Sequence, residues 1–196
     1  IAKEKPLKIS PPKIYIAIRA NKVVTDVINV LHDNNIKVMN IYLDPERSFQ
    51  AIEGRFLGCE IKIAGAGSHI PYAERAIRII RERARCIISK LEYTLPKRLI
   101  PQLLFYIAQN LNSLTRKSGI GVSAKEALTG VKGDVKRDLK LPFGTYVQIY
   151  KWYRRKNNIR ENRTVAAISL CSAQNDRGTW KFFNIETGTI VTSDNY

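Results

Sequence analysis

The sequence predicts an α/β segment followed by a small all-β module, and three observations carry this. Strand-like and helix-like stretches alternate from residue 13 to about 114. Residues 118–140 change composition, toward glycine, serine and charge. From residue 141 onward, every ordered-looking stretch is short and rich in β-branched and aromatic residues, as in strands. The expected organisation is an α/β layered unit over 1–117, a linker over 118–140 and a β-barrel of SH3-like size over 141–196.

The elements follow in order. Residues 1–12 are Lys/Pro-rich and irregular. "KIYIAIRA" (13–20) alternates apolar and polar residues and reads as a strand. In "VVTDVINVLHDNN" (23–35), Val23, Val27, Val30 and Leu31 fall at helical spacing, and the Asn pair closes the helix. His32, near that end, is read as structural. "KVMNIYL" (37–43) is a second strand. "PERSFQAIEGRFLG" (45–58) opens with Pro and ends on Gly, the residues favoured at those helix positions. "EIKIAG" (60–65) is a third strand, followed by helices over about 71–92 and 96–114. "TYVQIY", "TVAAISLC", "TWKFFNI" and "TIVTS" supply four strands, with turns at "NDRG" and "ETG".

Charge narrows the function. A net charge of +16 over 196 residues implies a polyanionic partner, with nucleic acid first. No apolar run is long enough to span a bilayer, and no membrane partner is expected. The cysteines (Cys59, Cys86, Cys171) are far apart, have no metal-ligand spacing, and read as reduced, buried thiols of an intracellular protein.

The 71–92 helix holds the first candidate site. At about 100° per residue, Ala73, Ile77, Ile80, Ala84, Ile87 and Leu91 form a core face. Arg78, Arg81 and Arg85 fall within about 40° of Glu74, making a column headed by a carboxylate. A structural account exists: the helix dipole favours Glu74 in the first turn, and Arg78 pairs with it at i+4. The functional account adds Asp44, at the end of "NIYL", where α/β strands commonly present functional groups. Asp44 before Pro45 equally fits a helix N-cap. Two carboxylates from separate elements would suit divalent metal and phosphoryl transfer.

"IYLDPERSF", "GAGSHIPYAERAIRIIRERAR", "LPKRLIPQLLFYIAQNLN", "SAKEALTG" and "KRDLKLPFGTYVQIY" together resemble the integrase of a retrotransposon, among the DDE transposases and retroviral integrases. The resemblance covers nearly the whole chain. It implies a partial ribonuclease H-like three-layer fold, with Asp44 and Glu74 at the second and third acidic ligand positions and Mg²⁺ or Mn²⁺ as cofactor. It also implies 3′-end processing and strand transfer on double-stranded DNA (element ends and target), possible homo-oligomers, and work in the nucleus. The family's first Asp has no counterpart here, and its zinc-binding module is absent. The expectation is therefore a truncated or decayed copy, without full catalysis by itself. The rival reading is a non-catalytic nucleic-acid-binding remnant or a domesticated protein. A ribonuclease H acting on hybrids fits the "AERAIRIIRER" helix and the β module less well.

Other residues complete the candidate set. Arg75, Arg78, Arg81 and Arg85 would contact DNA. In "YKWYRRKNNIR" (150–160), Lys151, Arg154, Arg155 and Lys156 interleave with Tyr150, Trp152 and Tyr153, a mixture suited to stacking and phosphate contact or to a polar hairpin. His69 is either a loop residue bonding a backbone carbonyl, or a support behind the metal ligands or a DNA phosphate contact. Gly65 and Gly67 make a flexible loop beside it. Leu99, Leu103, Leu104, Ile107 and Leu111 form helix core, leaving Phe105 and Tyr106 off the stripe as a possible dimer surface.

Overall fold

The computed structural model describes residues 21–43, 58–63, 71–115, 121–151, 162–175 and 177–196. The expected strand at 13–20 and nearly all of the expected helix at 45–58 lie outside these residues. The chain is mixed α/β and divides into two compact units, Ile1–Arg78 and Ile79–Tyr196.

In the first unit, helix α1 spans Asn21–Asp33. It ends as the Asn pair suggests. Asn35 takes a left-handed φ of 57°, its N–H donates to the His32 carbonyl, and Ile36 N–H donates to the Leu31 carbonyl. This is a Schellman closure with Asn in the position usually held by glycine. The buried stripe runs through Ile28 and Leu31, while Val30 is exposed. Strands β1 (Asn40–Leu43) and β2 (Glu60–Ile63) pair in parallel, Ile41 opposite Ile61. A parallel pair requires a crossover connection. Gly58, two residues before β2, takes a left-handed φ of 91°.

Helix α2 spans Pro71–Ile88, shorter than expected at its C-terminal end. In the second unit, a 3-10 turn (Lys97–Leu99) leads into helix α3 (Ile100–Ser113), with Pro101 in the first turn, where its missing N–H costs nothing. Two short helices follow, α4 (Ala124–Thr129) and α5 (Val135–Asp138). Strands β3 (Tyr146–Tyr150), β4 (Thr164–Ser172), β5 (Trp180–Asn184) and β6 (Ile190–Ser193) form an antiparallel meander in sequence order.

That meander is an open sheet and corrects the expected closed barrel. Among the described residues no ladder joins β3 to β6. Their ends approach at one point, where Tyr150 N–H donates to the Asn195 carbonyl at 3.4 Å. A helix covers one face in place of barrel closure. Leu103 and Ile107 of α3, with Leu95, Leu99 and Phe143, pack on Leu170, Cys171 and Phe183. Leu170 and Cys171 can share this cluster because the β4–β5 register shifts between Ser169 and Cys171, a bulge that re-aims consecutive side chains. The other face buries Ile149, Val165, Ala167, Trp180 and Phe182 beneath Leu141, Val191 and Tyr196. Gln109 ties helix to sheet, donating to the Ser172 carbonyl at 3.1 Å.

Candidate nucleic-acid interface

Helix α2 starts at Pro71, whose fixed φ suits a first helical position. Its later apolar residues Ile80, Ala84 and Ile87 pack against the second unit's core. Glu74, Arg75, Arg78, Arg81 and Arg85 are all exposed. The expected division of this helix into apolar and basic faces therefore holds in the structure, although Ile77 is exposed rather than packed. From Arg75 to Arg85 the helix rises about 15 Å. That equals roughly four base-pair steps of duplex at about 3.4 Å each. Cys86 lies on the same helix and is exposed, against the expectation of a buried thiol.

Asp44, His69, Arg154, Arg155 and Lys156 lie outside the described residues, as do Trp152 and Tyr153. Lys151 is half-buried, and its N–H donates to the Arg163 carbonyl at 2.9 Å, closing the base of the β3–β4 connection. Of the proposed metal pair, Glu74 alone is described. Among the described residues no three His, Cys, Asp or Glu side chains group as a metal site would need. One exposed carboxylate does not by itself hold a divalent cation; such an ion also needs Asp44 or phosphate oxygens.

Two other groups with chemical potential are accounted for by structure. Cys171 is buried, and burial pushes its thiol pKa up despite the nearby Lys181, the reverse of what a thiolate nucleophile needs. Asp138 is buried beside Lys125 and Arg137. Burial raises its pKa, but hydrogen bonds from those two cations outweigh burial and hold it below the usual carboxylate range. It is an occupied structural carboxylate, and sequence reasoning passed over it because it falls in a charged stretch that looked like linker.

Sequence reasoning also missed Tyr146. It is 60 % exposed and Tyr150 is 57 % exposed. The signal was present in "TYVQIY", where strand alternation puts both tyrosines on one face.

No protein-family model matches the chain, and no curated protein matches it.

Proposed function

We propose that this chain is the DNA-handling part of a retrotransposon-type integrase and that α2 lies along the phosphate backbone of double-stranded DNA. The exposed column Arg78, Arg81 and Arg85, with exposed Arg75 beside it, is turned away from the helix's packed face and carries the reading. Guanidinium groups suit phosphate because their planar fork can donate two hydrogen bonds at once. The +16 charge supports the same partner. In this reading the α1/β1/β2 unit is a piece of a ribonuclease H-like domain, the open sheet is a relative of SH3-like modules, and the workplace is the nucleus. Asp44 and Glu74 would hold Mg²⁺ or Mn²⁺, which supplies charge stabilisation at the phosphorus when bound.

Fluorescence anisotropy with random-sequence duplex DNA tests it. Binding should weaken steeply as salt rises, with a slope of about −0.9 per phosphate contact in a log–log plot. Arg78→Ala, Arg81→Ala and Arg85→Ala together should abolish most of that binding. Undetectable or salt-independent binding overturns the reading.

A further inference from the structure

Helix α3 does not cover its sheet face as far as the edge. Among the described residues, β6 pairs only with β5 and is an edge strand. Lys181 and Phe183 of β5 stand opposite Thr192 and Ile190 of β6, and opposed residues share a face. Phe183 packs in the α3 core, so these four side chains lie on the α3 side. Two cations bridge helix and sheet there. The Arg98 guanidinium, in the turn before α3, stacks 4.5 Å from the centre of the Phe183 ring. It also donates to the Gly188 carbonyl at 3.4 Å, just before β6. Lys181 Nζ lies 5.5 Å from the centre of the Phe105 ring of α3. Phe105 is 49 % exposed and Ile190 is 46 % exposed. The seam between α3 and β6 thus presents apolar surface together with two held positive charges.

Charge and backbone together say what covers the seam. Helix α3 and strands β5 and β6 contain no Asp or Glu. Glu186, in the β5–β6 turn, and Asp194, just past β6, are the nearest in sequence. Among the described residues no carboxylate pairs with Arg98 or Lys181. The complement is an acidic partner, and a second copy of a chain of charge +16 is a poor one. The backbone favours peptide over nucleic acid. Asn184 N–H donates to the Thr189 carbonyl. Backbone groups alternate in direction along a strand, so Thr189, Val191 and Ser193 bond toward β5. The N–H and C=O groups of Ile190 and Thr192 then point out of the sheet, and among the described residues they make no hydrogen bond. An extended peptide can complete those bonds, whereas a nucleic-acid strand has no matching alternation of donors and acceptors. Half-exposed Ile190 and Phe105 suit apolar side chains, which a phosphate backbone lacks. We propose that the α3–β6 seam docks a short extended peptide bearing carboxylates and apolar side chains, which adds to the sheet beside β6. This partner is separate from the DNA of the arginine column.

Fluorescence anisotropy tests it, with the full chain and three labelled peptides of three repeats each. Glu-Thr-Val-Thr places acidic and apolar residues in turn on one strand face. Lys-Thr-Val-Thr reverses the charge, and Glu-Thr-Ser-Thr removes the apolar group. The first should bind, the second should not, and the third should bind about fivefold more weakly. Arg98→Ala combined with Lys181→Ala should weaken the first peptide by about tenfold, from two lost charge pairs, and leave random-duplex DNA affinity unchanged. Thr192→Pro removes an outward N–H where an edge strand tolerates proline, and should abolish peptide binding. Near-UV circular dichroism from buried Trp180 verifies the fold of each variant, and if Thr192→Pro does not fold, the double alanine variant decides. If the first peptide does not bind, or binds the double alanine variant as tightly as wild type, the docking site is overturned and the arginine reading stands. Loss of duplex affinity in the double variant also overturns it, by making the seam a DNA contact. So does a wild-type dimer that the double variant turns into a monomer in sedimentation, by making the seam a contact between copies.

Discussion

Lys125 Nζ lies 3.0 Å from Asp138 Oδ2, joining α4 to α5, while Arg137 Nε holds the other carboxylate oxygen at 3.1 Å. The Asp138 side chain is only 3 % exposed. The ion cluster sits against β5, since Trp180 Nε1–H donates to the Arg137 carbonyl at 3.4 Å. A charged stretch that reads as linker is therefore a clasp. Asp138→Ala should cost about 2–3 kcal/mol, because it leaves a mostly buried lysine without its counter-charge. Urea denaturation followed by Trp fluorescence measures it, and a loss below about 0.5 kcal/mol, the range of ordinary surface changes, would sink the clasp.

The same carboxylate sets an acid limit. Its folded pKa lies below the ordinary value, so the stabilisation is full above the unfolded pKa of about 3.9 and is lost as pH falls through the folded value. Wild-type stability should drop below about pH 4, and Asp138→Asn should show a flatter acid limb. Equal limbs in the two proteins would remove Asp138 from the account.

Gly144 precedes β3 at φ +85°, which L side chains rarely adopt. An added Cβ would overlap the Leu91 Cδ2 methyl and crowd the Tyr93 hydroxyl at 3.0 Å. Tyr93 donates to the Gly144 carbonyl itself, at 3.2 Å. Gly144→Ala should therefore cost about 2–4 kcal/mol, from backbone strain and overpacking together. A thermal melt that does not move would contradict this.

Leu103 and Leu104 are adjacent and should behave oppositely. Leu103 is fully buried in the α3–sheet core, while Leu104 is substantially exposed. Leu103→Ala should cost about 2–5 kcal/mol and Leu104→Ala under about 0.5. Denaturant midpoints decide it, and similar losses at both would refute the packing.

This pair also shows what local pattern can reveal. Period fixed Leu99, Leu103 and Ile107 as one stripe, but Leu104 lies about 100° around the helix from Leu103, and composition alone did not exclude it. Tyr106 was set aside as surface, yet its ring packs 5.7 Å from Phe143, a contact between residues far apart in sequence. The four strands were readable from alternation and turn residues. Their failure to close was not, because closure depends on whether β3 and β6 meet, and α3 takes the covering role instead. At the site, the arginine column was legible because helical period alone puts Arg78, Arg81 and Arg85 together. Asp138 was not, because its partner Lys125 comes from another helix and no local pattern signals that contact.

The last prediction concerns Glu74, which sits in the first turn of α2 among the arginines. If α2 lies along DNA, Glu74 contributes negative charge facing phosphate unless a cation intervenes. Glu74→Gln should then leave duplex affinity in metal-free buffer unchanged or raised, while Arg78→Ala lowers it and reduces the salt slope by about one contact. Adding Mg²⁺ should strengthen binding of wild type more than of Glu74→Gln, because the carboxylate can share the ion with phosphate oxygens. Metal titrations on both proteins separate these effects. An equal Mg²⁺ response in the two would remove Glu74 from metal binding, while an unchanged salt slope in Arg78→Ala would remove that arginine from the DNA contact.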